Sequence, residues 1–251
     1  MTEYWNQQTR EIAECLSSKD HSIFRSWDPV RLIPLYELHH WVGYFQGVVE
    51  TSERLEGDEL ECWLKAMEPR RWGFDDYFFR RTEQLIRIRH KEISTTTYNA
   101  KSNHHIESYY QLTGRDVKDF RRIVEFGGGV GDLARLILDC GYEGEYVIVD
   151  LPEVLRLQKL NFRDSPVSPT FLEQPPAKVN DTLFISTWAL SEVPVSLREK
   201  VIDAVDPDGW LIATQRRIFD IDNHKYFTSW PGVRQEIPWI RWDDGSYYIM
   251  K

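Results

Sequence analysis

The sequence predicts an α/β fold: a Rossmann-like sheet of seven strands that ends in an antiparallel hairpin and follows an N-terminal helical cap. Two patterns predict it. Before about residue 115, apolar residues recur at the spacing of amphipathic helices. From Arg122 onward, short apolar segments alternate with helical segments, which is typical of a parallel sheet with crossover helices. The change of pattern predicts two domains: a helical cap, lid or dimerisation region at residues 1–115, and an α/β domain at residues 116–251.

The helices of the first domain are predicted from apolar spacing and from the residues at their ends. Asp58 and Asp75 stand where N-caps are expected, because a carboxylate there accepts from free backbone N–H groups. The four predicted helices are Tyr4–Leu16, Leu32–Val49, Leu60–Met67 and Tyr77–Ile93. Their aromatic residues could form a lid, a binding platform or the surface of a homodimer, or they could fill the core.

The second domain has the pattern of a parallel sheet closed by a hairpin. The predicted strands are Ile123–Phe126, Tyr146–Asp150, Pro169–Leu172, Thr182–Thr187, Trp210–Gln215, Glu236–Trp242 and Tyr247–Met250. The predicted helices are Gly131–Asp139, Leu151–Asn161 and Ser196–Val205. Only the segment from Asp243 to Ser246 separates the last two strands, and Asp-Gly is a frequent hairpin turn. The last pair is therefore expected to be antiparallel.

The composition excludes some classes of partner. Asp and Glu total 40 against 31 Lys and Arg, a net charge of −9, and an acidic chain is a poor nucleic-acid binder. No apolar run approaches the roughly 20 residues of a membrane-spanning helix. The three cysteines, which form neither a metal-binding spacing nor a disulfide framework, are Cys15, Cys62 and Cys140. We therefore expect a cytoplasmic protein that acts on a small molecule, without a metal, a nucleic acid or a membrane.

A glycine-rich turn after the first strand of the sheet indicates a cofactor site. The segment from Gly129 to Ala134 fits the dinucleotide fingerprint G-x-G-x-x-A, and the segment from Glu125 to Gly131 fits the E-x-G-x-G-x-G form used for S-adenosylmethionine. Gly127 follows the strand directly, so it makes the tight turn. Glu125 would repel a pyrophosphate, whereas it could organise the amino group of a methionine moiety. The second form is favoured, and S-adenosylmethionine is the expected cofactor.

The second strand ends in an acidic residue, Asp150, which lies about 20 residues beyond the turn, the spacing at which a carboxylate meets ribose hydroxyls. Asp150 could also be the N-cap of the helix that follows, and the two roles are compatible. The residues expected to bind the cofactor are Glu125, Gly127, Gly128, Gly129, Asp150, Leu151, Thr187, Trp188 and Ser102.

The sequence resembles a known family in four segments. These are the glycine-rich turn, Val149–Gln158, Phe184–Pro194 and Asp220–Phe227. Together they resemble the sugar O-methyltransferases, which are class I, S-adenosylmethionine-dependent enzymes, over roughly residues 98–251. The resemblance implies a class I methyltransferase sheet and methyl transfer to a hydroxyl oxygen of a small polar acceptor, a sugar or glycoside. Methylation of nitrogen or carbon in another small metabolite, and a non-catalytic methyltransferase-like binding subunit, are the alternatives.

Candidate catalytic residues lie beside the predicted cofactor site. Glu192 follows the fourth strand of the sheet, where ligands of open α/β sheets bind, so it is a candidate general base. It could equally be a surface carboxylate. His104 and His105 are alternative bases because histidine titrates near neutral pH, although neighbours on a helix point in different directions. Asn223 and Tyr226 are expected to bind the acceptor, and Asn223 could instead be an ordinary turn residue.

Overall fold

The structure of this chain, a computed structural model, describes residues 3–30, 38–218, 220–237 and 245–251, without the side chains of residues 38–42. The helices are α1 Glu3–Ser18, α2 Leu38–Arg54, α3 Gly57–Met67, α4 Asp76–Thr82, α5 Thr97–Thr113, α6 Asp132–Asp139, α7 Pro152–Asn161, α8 Val195–Val205 and α9 Asn223–Phe227. Short 3₁₀ helices lie at His21–Ser26, Asp28–Val30, Val117–Asp119 and Ala189–Glu192.

The strands form one large sheet and two small antiparallel pairs. They are β1 Glu83–Ile88, β2 Lys91–Thr96, β3 Arg122–Phe126, β4 Glu145–Val149, β5 Thr170–Leu172, β6 Thr182–Thr187, β7 Gly209–Gln215, β8 Arg217–Ile218, β9 Ile221–Asp222, β10 Val233–Glu236 and β11 Ser246–Met250. The large sheet has the order β10-β11-β7-β6-β3-β4-β5, in which β3 to β7 run parallel and β11 runs antiparallel to both of its neighbours.

This strand order confirms the predicted fold class, a Rossmann-like class I methyltransferase sheet with a terminal antiparallel hairpin. The chain places β4 and β5 on one side of β3 and then crosses back to place β6 on the other side, so β3 lies at the topological switch point, where ligands bind at the carboxyl ends of the strands. The glycine-rich turn follows β3, so the fold places it at the centre of this edge.

The two faces of the sheet bury different side chains because successive residues of a strand point to opposite sides. Ile123 of β3 lies in the cluster covered by α5, α6 and α7, whereas its neighbour Val124 lies in the cluster covered by α8 and α9. The same alternation separates Leu183 from Phe184 in β6. Buried runs of this kind explain why the parallel strands were predictable from the sequence.

Two details of the secondary structure differ from the sequence predictions. The first described strand of the terminal hairpin is β10, which shares only Glu236 with the predicted strand Glu236–Trp242. Residues 238–244, which include Asp243 and Asp244 of the predicted turn, lie outside the described residues. The predicted helix Tyr77–Ile93 is wrong after Thr82, where the antiparallel pair β1–β2 begins. There the burial alternates with period two, since Leu85 is 66% exposed while Ile88 is buried, and β-branched residues favour strands.

The predicted N-caps have mixed outcomes. Asp75 caps α4 by accepting from the Phe78 N–H at 2.7 Å, as predicted. Asp58 lies within the first turn of α3 instead, because that helix begins at Gly57 with Glu56 at the N-cap position.

None of the described helices is both long and apolar enough to cross a membrane.

The N-terminal segment packs directly on the edge that carries the glycine-rich turn. Residues of α1 and of the two short helices after it form a cluster with Val130, in the turn, and with Val154 and Leu157 of α7. A second cluster joins α2, α3 and the β1–β2 pair to α5 and α6. Segments from both predicted domains therefore share hydrophobic clusters around α6 and α7.

Candidate active site

The glycine-rich turn is held in one conformation by close packing. Gly127 has φ 75° and its N–H donates to the Val149 carbonyl of β4 at 2.9 Å. A Cβ at Gly127 would lie 2.0 Å from the Cβ of Ala189, so no side chain fits there. Gly129 and Gly131 also have positive φ, of 56° and 87°, which favours glycine. The turn therefore requires glycine for conformation and for space.

Two carboxylates flank this turn. The Glu125 side chain is 1% exposed and accepts from the Tyr146 hydroxyl at 2.9 Å; burial raises its pKa to about 8. Asp150 accepts from its neighbour's backbone, the Leu151 N–H, and from the backbone N–H groups of Gly128 and Gly129. Burial nevertheless raises the pKa of Asp150 to about 7. The two carboxylates also interact with each other, and the Asp150 charge contributes to the raised pKa of Glu125.

Asp150 belongs to the turn rather than to the helix that follows it. The alternative role of Asp150, as the N-cap of α7, is wrong, because the helix begins at Pro152 and Leu151 holds the N-cap position. Gln158 of α7, which was not among the predicted site residues, donates from Nε2 both to Asp150 Oδ2 at 2.8 Å and to the Gly129 carbonyl at 3.0 Å. Gln158 thereby fixes the acid and the turn relative to each other.

The N-terminal segment also ties down this turn. Arg25, which is 7% exposed, donates to both carboxylate oxygens of Asp132, the first residue of α6, with 2.9 Å between Nη1 and Oδ2. Its Nη2 donates to Asn161 Oδ1 at 2.8 Å, and Asn161 Nδ2 donates to the Val130 carbonyl at 2.9 Å. Arg25 and Asp132 are 107 residues apart, so no local pattern in the sequence indicates this pair.

Most of the predicted cofactor residues share one partly exposed edge of the sheet. The turn after β3, the end of β4 and the end of β6 are adjacent because these strands are neighbours. The predicted residues there that are neither fully buried nor fully exposed are Gly127, Gly128, Gly129, Asp150, Leu151, Thr187 and Trp188. Ser102 is 5% exposed within α5, and its role in binding a cofactor stays a prediction.

Trp188, at the end of β6, has a strained backbone. Its φ is 73° and its ψ −38°, and its N–H donates to the Ala213 carbonyl of β7 at 2.7 Å. A bulky residue with positive φ costs free energy, and such residues cluster at functional sites. Lys101 Nζ lies 4.9 Å from the centroid of the indole ring, and the His105 ring lies 5.5 Å from it. Lys101 was not predicted, although it stands three residues before the two predicted histidines.

Glu192 lies at the end of the short helix that follows Trp188. Its Oε2 accepts from the indole Nε1 of Trp5, on α1, at 3.0 Å. Burial raises the pKa of Glu192, while the Trp5 hydrogen bond and the nearby Lys101 ammonium oppose that rise. Arg198 holds the chain on both sides of Glu192, since it donates to the Ser191 carbonyl at 2.7 Å and to the Val193 carbonyl at 2.9 Å. Glu192 is therefore a positioned, partly buried carboxylate.

The two predicted histidines are both buried in α5. Burial lowers the pKa of His104 to about 4 and that of His105 well below the usual value of 6.5. His105 Nδ1 lies 2.7 Å from the Tyr248 hydroxyl, and its ring contacts Trp188. The His104 ring lies 5.7 Å from the ring of Tyr44. Both side chains are neutral at pH 7, and their low pKa makes them weaker bases than a typical histidine.

The two predicted acceptor-binding residues lie on α9. Asn223 is fully buried, and neither atom of its side-chain amide has a hydrogen-bond partner among the described residues. Tyr226 stacks against Arg198, with 4.9 Å between the guanidinium carbon and the ring centroid. The Arg198 side chain also donates to the carbonyls on both sides of Glu192, so it connects Tyr226 to the loop that carries Glu192. A direct contact of either residue with an acceptor stays a prediction.

Comparisons with known proteins give only distant likenesses. No protein-family model matches the chain, and no curated protein matches it. Among solved structures it is similar to PigF with SAH (15% identity over 47% of this chain and 41% of that one, TM-score 0.34). It is also similar to the O-methyltransferase NcsB1 from neocarzinostatin biosynthesis, with 16% identity over 47% of this chain and 40% of that one and a TM-score of 0.35. Human N-acetylserotonin methyltransferase is similar with 16% identity over 61% of this chain and 55% of that one and a TM-score of 0.38.

The chain spans less than two thirds of the length of each of these three structures. At such identities and TM-scores the likenesses carry no weight for function. The fold assignment rests on the strand order and on the pairing of the strands.

Proposed function

We propose that this chain transfers a methyl group from S-adenosylmethionine to a hydroxyl oxygen of a small polar acceptor, a sugar or glycoside. The observation that carries the proposal is the pair of carboxylates, Glu125 and Asp150, around a partly exposed glycine-rich turn at the switch point of the sheet.

The chemistry of this edge suits S-adenosylmethionine better than a dinucleotide. The edge offers two carboxylates and backbone groups of the turn, and Arg25, a cation that contacts the first residue of the helix after the turn, is already paired with Asp132. A bound pyrophosphate would oppose the ionisation of both acids, whereas a bound cation would favour it. An ammonium, a sulfonium and ribose hydroxyls are all stabilised by carboxylates. Asp150 and Gln158 would hold the ribose side, and Glu125 would organise the methionine side.

When bound, S-adenosylmethionine supplies an electrophilic methyl group. Glu192 is the proposed general base, which takes the proton from the acceptor hydroxyl as the new O–C bond forms and the C–S bond breaks. Its Oε2 already accepts from Trp5, so Oε1 is the oxygen that would receive the proton. Alignment of an in-line displacement supplies much of the rate, and a positioned base adds about 10²- to 10⁴-fold. The neutral, buried histidines are the weaker candidates.

Aromatic rings next to Glu192 support a sugar as the acceptor. The rings of Tyr4 and Trp5 lie 5.4 Å apart in an edge-to-face arrangement, and Tyr4 is 51% exposed. The charge of Glu192 contributes to a raised pKa of the Tyr4 phenol, so the two side chains are close. Aromatic faces pack against the apolar face of a sugar ring, while a carboxylate accepts from its hydroxyls. The combination fits a polyhydroxylated ring.

Calorimetric titration with S-adenosylhomocysteine tests the cofactor part of the proposal. We expect wild-type binding to weaken as the pH falls below about 7, because ribose hydroxyls donate to the ionised form of Asp150. Asp150→Ala should weaken binding at least tenfold while circular dichroism stays unchanged. A wild-type protein that does not bind S-adenosylhomocysteine contradicts the proposal.

Turnover with methyl-labelled donor and a panel of glycosides tests the acceptor part. Glu192→Gln should keep cofactor affinity and lose about 10²- to 10⁴-fold in turnover. Equal turnover in this variant removes Glu192 as the base. Binding of S-adenosylhomocysteine without transfer to any acceptor would indicate a binding subunit, and NMR of the product distinguishes methylation of oxygen from methylation of nitrogen or carbon.

A further inference from the structure

We infer that Trp5 is a positioning residue for the Glu192 carboxylate, so that the N-terminal helix α1 forms part of the acceptor site. This inference rests on the proposed function, in which Glu192 is the base. It adds a residue from the helical half of the chain, for which the sequence alone gave no specific role.

The contact joins two distant parts of the chain. Trp5 Nε1 lies 3.0 Å from Glu192 Oε2, and the two residues are 187 positions apart in the sequence. The hydrogen bond therefore fixes the orientation of the carboxylate and directs its second oxygen away from the indole.

The other end of α1 lies on the cofactor side. Cys15 and Leu16, which are 5% and 6% exposed, pack in the same cluster as Val154 and Leu157 of α7. From Trp5 to Leu16 a helix extends about 16 Å, since each residue adds about 1.5 Å. The ends of β4 and β6 are two strand spacings apart, about 10 Å. The helix is thus long enough to cross the edge that carries the glycine-rich turn.

The environment of Glu192 explains why such a donor matters. Burial disfavours the ionised carboxylate, and two groups oppose burial: the Trp5 N–H from α1 and the Lys101 ammonium from α5. The Tyr4 phenol, also on α1, is a second titratable group near it, after Lys101. The Trp5 N–H is neutral, so it stabilises the ionised carboxylate through a hydrogen bond without placing a positive charge in the site. Removing it should leave the base protonated over a wider range of pH.

Trp5→Phe removes the N–H and keeps an aromatic ring. We expect the acid limb of the pH–turnover profile to move up by about one unit, with about tenfold lower turnover below that limb and a plateau at high pH close to that of wild type. Affinity for S-adenosylhomocysteine should stay within twofold. The matched control is Trp72→Phe, which removes an indole N–H that donates to the Leu160 carbonyl at 2.9 Å, and it should leave the profile in place.

An NMR titration without cofactor or methyl acceptor tests the Trp5–Glu192 contact independently of the proposed function. In protein labelled with ¹⁵N-tryptophan, the Trp5 indole resonance is assigned by its loss in Trp5→Phe and followed against pH. It should titrate in wild type and lose that titration in Glu192→Gln. A resonance that is indifferent to pH, or unchanged by Glu192→Gln, overturns the inference, as does an unshifted profile in Trp5→Phe. Failure of wild type to bind S-adenosylhomocysteine would instead contradict the proposed function.

Discussion

Glu125→Gln should make the protein more stable at neutral and alkaline pH. Glutamine has nearly the same shape as glutamate, and its carbonyl oxygen can still accept from the Tyr146 hydroxyl, which lies 2.9 Å from the carboxylate. The substitution removes only the capacity of the buried group to ionise. The predicted effect therefore isolates the cost of a charge at this position.

The magnitude follows from the raised pKa of Glu125, which is about 8 in the folded protein against an ordinary value of 4.5. The difference of 3.5 units corresponds to about 5 kcal/mol, at about 1.4 kcal/mol per unit. Between pH 4.5 and 8 the folded chain keeps a proton that the unfolded chain has lost, so the free energy of unfolding of wild type falls as the pH rises. Glu125→Gln should escape this loss, gaining about 3 kcal/mol over wild type by pH 7.

Urea unfolding at pH 5, 6, 7 and 8 measures the difference between the two proteins. Asp150, whose pKa is also raised, acts in the same direction, but it is present in both proteins and largely cancels from the difference. The exposed Glu143 provides the control, since Glu143→Gln should follow wild type at every pH. Parallel curves for Glu125→Gln and wild type would refute the reasoning, because they would mean that Glu125 ionises in the folded protein as easily as in the unfolded chain.

Two further substitutions test the packing of the site. Gly127→Ala places a Cβ 2.0 Å from that of Ala189 on a backbone with φ 75°, so we expect the free energy of unfolding in urea to fall by more than about 3 kcal/mol. Adding Ala189→Gly should restore all but about 1–2 kcal/mol of that free energy. If the double variant is no more stable than Gly127→Ala, the clash is not the cause. Arg25→Met should lower the free energy of unfolding by about 3–5 kcal/mol because it leaves the largely buried Asp132 carboxylate without its partner. Arg71→Met breaks an ion pair with Asp76 whose side chains are 65% and 78% exposed, so it should lower that free energy by less than about 1 kcal/mol. Equal destabilisation of the two variants in thermal unfolding would contradict this expectation.

Local sequence patterns were sufficient for the sheet and for the glycine-rich turn. Each parallel strand is a short apolar run between turn residues, and the acids at the ends of β3 and β4 stand at fixed spacings from the glycines. The β1–β2 pair was missed because Leu85 and Ile88 stand three residues apart, as on one face of a helix, whereas Leu85 is exposed and Ile88 buried, as in a strand. The first three residues of strand β10 were missed because all four residues of that strand are exposed and three of them are polar.

The contacts that complete the site were not predictable from one sequence. Trp5 and Arg25 reach Glu192 and Asp132 across 187 and 107 residues, and no local pattern encodes such pairs. The predicted bases show a related limit. His105 was a candidate because histidine titrates near pH 7, but its burial in α5, which depends on tertiary packing, lowers its pKa.

The hydrogen bonds from Arg198 to the carbonyls on both sides of Glu192 limit which parts of the site can be changed by protein engineering. Because Arg198 is fully buried and bonds two carbonyls of the loop, the loop cannot be reshaped without disturbing the packing of α8. The opposite wall, α1, presents Tyr4 to solvent. Under the proposed function, a library directed at the exposed residues of the first turns of α1, with Trp5 kept, should therefore alter which acceptors are used at little cost in expression. The same number of changes between Trp188 and Val193 should mostly yield protein that does not accumulate.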